Sequence, residues 1–193
     1  TIDESELKRV ASFFTDPPYE KHTQNKINDH LDNKSFKQWL DRCTHSHKNK
    51  GYRSVTLSLK ANHQAPGDAT SEQMRLVADL ADEYSFGEVR VSHEQNLILA
   101  DVQEDNLFDL WEKAKSKNLA TPNVGLLTDI VCCPGGDFCS LANAKSIPIA
   151  ESIQEVFEDM DYLHDNGEID LNISGCMNAC GHHHVGHIGS LGV

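Results

Sequence analysis

The sequence predicts an α+β fold in which a β-α-β-β-α unit is followed by an α/β segment carrying two groups of cysteines. Three observations predict it. Apolar residues alternate at Val55, Leu57 and Leu59 in "YRSVTLSLK", as in a half-buried strand. They recur at helical spacing in "SEQMRLVADLADEY" and "NLFDLWEKAKSK". Five of the six cysteines crowd into "CCPGGDFC" and "GCMNAC", and each group begins where an apolar, strand-like stretch ends.

The 193 residues suffice for a buried core in one large or two small domains. Residues 1–51 read as a helical linker arm. Two helix-leaning pieces, "SELKRVASFF" and "KSFKQWLDRC", are separated by "TDPPYE", whose prolines break any continuous helix. Phe36 and Trp39 are the expected anchors of this arm.

Residues 52–120 read as a compact unit. After the strand at 55–59 comes a helix expected to present Met74, Val77, Ala78 and Ala81 on one face. "GEVRVSHEQNLILADV" gives two short strands, and a last helix carries Leu107, Leu110, Trp111 and Ala114 along one stripe. This order is that of half a ferredoxin-like α+β layer.

Residues 121–193 form the third segment. "VGLLTDIV" predicts a buried strand, and "ESIQEVFEDMDYLH" one helix with Ile153, Val156, Phe157, Met160 and Leu163 on a common face. "EIDLNIS" predicts a strand running into Cys176, and the ending "GHIGSLGV" another. Together with a start on Thr1 rather than Met, that abrupt ending leads us to expect an excised piece of a longer chain.

With 17 basic against 30 acidic residues the formal net charge is −13, which argues against a general nucleic-acid surface or attraction to an anionic membrane. No long apolar run exists, and "TIDESELKRVASFF" lacks the basic-then-apolar order of a secretory signal. A cytoplasmic protein is expected, and there closely spaced cysteines favour metal or redox chemistry over disulfides.

Five residues separate Cys133 from Cys139, and three separate Cys176 from Cys180. Soft thiolates select zinc or iron–sulfur clusters. Structural zinc sites place about two to four residues between paired ligands, so the wider gap suits a larger cluster better. Cys132 stands beside Cys133 as an alternative ligand, though a small buried residue at the strand end is the favoured reading. Cys43 lies far along the chain and is expected to have no cofactor role. Gly135 and Gly136 let the backbone bend closely around a bulky group, with Pro134 fixing the approach.

"TDIVCCPGGDFCSLANAKS" followed by "GCMNACGHHHVGHIG" resembles the paired signature of the sirohaem- and 4Fe-4S-dependent nitrite/sulfite reductase family. "GYRSVTLSLK" and "GEVRVSHEQNLILADV" are similar to that family's ferredoxin-like half domain, so the resemblance covers roughly residues 36–193. It implies that Cys133, Cys139, Cys176 and Cys180 hold a 4Fe-4S cluster, with Cys180 also the axial ligand of the sirohaem iron. It places Arg90, Gln95, Asn96 and Asn178 among the sirohaem contacts. The implied reaction is the six-electron reduction of sulfite to sulfide or of nitrite to ammonia, with sulfite the slightly favoured substrate.

Anionic substrate and sirohaem carboxylates call for Lys and Arg. Residues 121–193 offer only Lys145 and no Arg. The expectation is therefore a C-terminal half whose cationic residues lie in a missing N-terminal half, inactive alone and dependent on a redox donor protein or flavoprotein subunit. The histidines at 182, 183, 184 and 187 are expected to lie exposed or to pack on that half. Two other readings use the same thiols: a non-catalytic 4Fe-4S electron-transfer module and a zinc-stabilised structural domain.

Overall fold

A computed structural model of the chain describes residues 2–21 and 26–193. Its first layer is a four-stranded antiparallel sheet, β1 (Thr44–Ser46), β2 (Tyr52–Leu57), β3 (Arg90–Val91) and β4 (Leu97–Gln103), in the order β1-β2-β4-β3. Helices α3 (Ser71–Tyr84) and α4 (Leu107–Lys115) complete the expected β-α-β-β-α run. The fold is α+β, as predicted.

Helix α1 (Glu4–Ala11) buries no residue, but α2 (Lys34–Cys43) buries Phe36, Trp39, Leu40 and Cys43, one helical stripe at i, i+3, i+4 and i+7. Phe36 and Trp39 are fully buried in the core shared by β2, α3, β4 and α4. Helix α2 and β1, expected in the arm, are thus part of the sheet unit, because a stripe this apolar is stable only when covered. Tyr19 ties the remaining arm down by donating to the buried Asp101 at 2.6 Å.

In α3 the buried face is Gln73, Val77, Leu80, Ala81 and Tyr84, whereas Met74 and Ala78 are exposed. Val77 and Ala81 are buried as expected, and Gln73, held in the helix cap, takes the buried place expected of Met74. The Thr70 hydroxyl accepts from the Gln73 N–H at 3.1 Å, and the Gln73 amide oxygen accepts from the Thr70 N–H at 2.9 Å, while its NH2 donates to the Lys117 carbonyl. This reciprocal pair satisfies two otherwise free helix donors. Thr70→Ala is expected to lower the unfolding free energy by about 1 kcal/mol, measured by urea denaturation. On α4 the stripe Leu107, Leu110, Trp111 and Ala114 is buried as expected.

The second layer is a three-stranded parallel sheet, β5 (Val131–Cys132), β6 (Leu171–Ser174) and β7 (Ile188–Leu191), in sequence order. Strand β7 lies within the predicted C-terminal strand and pairs with β6. The long strand expected over 124–131 is reduced to its last residue plus Cys132. Residues 123–130 turn instead: the Leu126 N–H donates to Asn123 and the Asp129 N–H to Leu126, and Gly125 has φ +73°. Leu126 and Ile130 remain buried, so the apolar pattern reported burial but not extension.

The single helix expected over 151–164 is two, α5 (Ile147–Val156) and α6 (Met160–Asn166). Asp159 breaks it by accepting from the Asp161 and Tyr162 N–H groups, a better partner for those donors at a new N-terminus than in a continuous helix. Pro148 occupies the first turn of α5, where its missing N–H costs nothing. Val156, expected on the buried face, is exposed, while Leu163 is buried.

Candidate functional site

The crossover geometry of a parallel sheet brings the cysteine groups together. Strands β5 and β6 run side by side, so the loops at their ends leave from the same edge. The Cys133 N–H donates to the Ile173 carbonyl at 3.1 Å, and the Gly175 N–H donates to the Cys133 Sγ at 3.0 Å. The Gly175 carbonyl accepts from the Asn143 and Ala144 N–H groups. Residues 133–136, 143–146 and 175 thus form one knot.

Two glycines make the knot possible. Gly135 has φ +59°, and a Cβ there would lie 2.5 Å from the Ser146 nitrogen. At Gly175 a Cβ would lie 2.9 Å from the Gly135 Cα. Such backbone neighbours cannot yield as a flexible side chain would.

Exposure rises along the cysteine series: Cys133 is buried, Cys139 and Cys176 are half-buried, and Cys180 is exposed. Phe138, Leu141 and Met177 stand largely exposed between them. Among the described residues no three His, Cys, Asp or Glu side chains converge as a metal site, so the two loops abut without the four thiols being gathered. In donor chemistry the residues fit an iron–sulfur cluster. Four thiols lie on two adjoining loops, and a backbone N–H already donates to one sulfur, the kind of bond that tunes cluster potential.

Cys132 is 3% exposed, and its thiol points back to the Cys133 carbonyl. Burial, reinforced by Cys133 and opposed by Lys60, pushes its pKa up to about 12. Cys43 is buried in the first core, donates to the Thr121 carbonyl, and is likewise raised by burial.

The other expected residues divide. Arg90 is exposed and pairs with Glu88, and Asn178 is exposed within the second cysteine loop. Gln95 and Asn96 point inward. The Gln95 amide bonds both the N–H and the carbonyl of Cys132, and Asn96, 1% exposed, donates to Asp129 at 2.9 Å. Of the histidines, His187 accepts from the Asp170 N–H, and the Nδ1 of His183 is buried without a hydrogen-bond partner.

Sequence reasoning missed Lys60. Its side chain is fully buried, with Nζ 3.1 Å from the Asp129 carboxylate and donating also to the Glu94 carbonyl. Burial draws its pKa below the ordinary lysine value, against the opposing pull of Asp129. No sequence signal marks it, because a lysine at the end of an alternating strand reads as solvent-facing.

A cavity of about 630 Å³ lies between the sheet unit and the cysteine segment, with Ser54, Glu94, Asp129, Asn172 and His182 in its wall. Another, of about 470 Å³, lies beside the first cysteine loop, bounded by Val91, Gln95, Pro134 and Phe138. Among the described residues neither has a Lys or Arg in its wall. Lys145, the lone cation of the segment, pairs with Asp137 at 3.0 Å. No described helix is long and apolar enough to cross a membrane.

Fold and site together define an α+β protein in which a ferredoxin-like half layer carries a parallel-sheet segment with two abutting thiol loops. Residues 45–117 match the nitrite/sulfite reductase ferredoxin-like half domain. The chain belongs to the nitrite/sulfite reductase family.

It is 33% identical to the assimilatory ferredoxin-dependent nitrite reductase of Haloferax mediterranei, over 67% of this chain and 22% of that protein. It is 28% identical to the chloroplastic ferredoxin–nitrite reductase of Spinacia oleracea, over 70% and 23%. The coenzyme F420-dependent sulfite reductase of Methanocaldococcus jannaschii is 27% identical over 72% and 22%. The fold is that of the Mycobacterium tuberculosis NirA protein, with a TM-score of 0.57 at 24% identity, covering 72% of this chain and 25% of that one. The chain thus spans about a quarter of the length of the relatives it matches.

Proposed function

We propose that this chain is the cluster-bearing C-terminal portion of a sirohaem-dependent reductase of nitrite or sulfite. Cys133, Cys139, Cys176 and Cys180 would hold a 4Fe-4S cluster, and Cys180 would also serve the sirohaem. When bound, the cluster and sirohaem would supply the electron-transfer and anion-reducing chemistry. The chain's own part is to carry four thiols on two adjoining loops and to exclude water from the first of them. The observation that carries this reading is the knot at Gly135 and Gly175, which brings both cysteine loops together and puts an N–H on the Cys133 sulfur.

The exposure gradient supports the assignment of Cys180, whose thiol is open toward a second group while Cys133 is sealed. Exposed Phe138, Leu141 and Met177 give that face an apolar rim suited to a large ring or to the remainder of a longer enzyme. Arg90 and Asn178 stay candidates for sirohaem contact, since both are exposed. The absence of Lys and Arg from the two cavity walls supports the proposal that anion-binding charge comes from elsewhere and that the chain alone does not turn over. Ferredoxin dependence in two of the named relatives supports a ferredoxin as donor, and their nitrite activity tilts the substrate toward nitrite.

The test is anaerobic reconstitution of the 193-residue chain with iron and sulfide, followed by assays of iron, acid-labile sulfide and zinc. About four irons and four sulfides per chain are expected. Stoichiometric zinc with no iron, in the chain and in longer protein containing it, would overturn the reading in favour of a zinc-stabilised domain. A cluster without tetrapyrrole uptake by that longer protein would leave an electron-transfer module.

A further inference from the structure

We infer that Gln95 is a positioning residue through which the half domain sets the place of the cysteine strand, and with it Cys133. Gln95 lies in the turn between β3 and β4, at φ +60°. Its Nε2 donates to the Cys132 carbonyl at 2.9 Å, and its Oε1 accepts from the Cys132 N–H at 2.9 Å. One side-chain amide therefore makes the two bonds that a neighbouring strand would make. Strand β5 is an edge of its sheet, with β6 on one side only, and Gln95 completes the other side at the residue before Cys133.

The turn that carries Gln95 is itself held. The Ser92 N–H donates to the Asn96 carbonyl at 2.9 Å. Gly67 backs onto Gln95 so closely that a Cβ there would lie 3.0 Å from the Gln95 Cβ. Asn96, the next residue, accepts from the Leu59 N–H and donates to Asp129. Two successive side chains of one turn thus grip the cysteine segment at 129 and at 132, and the Cys133 sulfur follows within one residue. The inference rests on the proposed function only for what Cys133 holds.

Gln95→Met keeps the length of the side chain and removes both bonds. In the cluster-free chain, amide hydrogen exchange at Cys132 is expected to accelerate by roughly tenfold or more, the size of effect that losing two hydrogen bonds gives. Alkylation of Cys133 should speed up relative to Cys139, and the denaturant midpoint read from Trp39 and Trp111 fluorescence should fall by less than the local gain in exchange. In reconstituted protein the EPR signature of the reduced cluster should shift. Unchanged Cys132 exchange would overturn the inference. So would a gain in exchange matched by an equal loss of global stability, which would make Gln95 merely structural. Failure of the chain to take up iron would count against the proposed function and leave the exchange and alkylation results to decide on Gln95.

Discussion

Cys133→Ser, Cys139→Ser, Cys176→Ser and Cys180→Ser are each expected to cost the reconstituted protein its stable complement of iron and acid-labile sulfide, whereas Cys132→Ser and Cys43→Ser retain it. A serine hydroxyl is a hard, weakly acidic donor and does not replace a thiolate at a soft iron site. Cys139, Cys176 and Cys180 are half-buried or exposed, so their replacement should leave the fold intact. Loss of iron at those positions then reads as loss of a ligand rather than loss of structure. Cys133→Ser carries an added cost of about 1 kcal/mol, because the residue is buried and its sulfur accepts from Gly175. The Cys132 thiol is turned away and its pKa is pushed up to about 12, which opposes the thiolate form that metal binding needs. Iron and sulfide assays beside visible spectra separate the two groups of variants. Full iron content in Cys176→Ser or Cys180→Ser, or its loss in Cys132→Ser alone, would move the ligand set.

Much of this site could be read from the sequence because its elements are local. The strand at 55–59 and the stripe from Leu107 to Ala114 follow from spacing alone, and the cysteine groups announce themselves by crowding. Periodicity failed where a side chain competed with the backbone for its hydrogen bonds. Asn123 and Asp129 drew residues 123–130 into turns, Asp159 split a continuous apolar stripe into two helices, and in α3 Gln73, held in the Thr70 cap, took the buried place expected of Met74. Partnerships across the chain were wholly hidden. Gln95 meets Cys132 at a separation of 37 residues and Lys60 meets Asp129 at 69, and nothing near either residue signals that its polar end turns inward.

The second large effect lies at that buried pair. Lys60→Met is expected to lower the unfolding free energy by about 3–5 kcal/mol, because it leaves the Asp129 carboxylate in the interior without its cation. Total stabilities of about 5–15 kcal/mol make this a change that brings the chain close to unfolding. The pair need not be stabilising against an apolar replacement, since both charges are removed from water. Lys60→Met combined with Asp129→Leu should therefore recover part of the loss. Recovery is incomplete because Asn96 Nδ2 and the Gly125 N–H also lose their acceptor, at about 1–3 kcal/mol for each left unsatisfied. Urea denaturation of the wild type, both single variants and the double variant gives the coupling. Additive losses would mean that the two groups do not act as a pair. Titration supplies an independent check. Burial holds the Lys60 pKa below its ordinary 10.5, so between those two values the unfolded chain binds the proton that the folded chain has released. Wild-type stability should then rise with pH across that window, and Lys60→Met should lack that contribution.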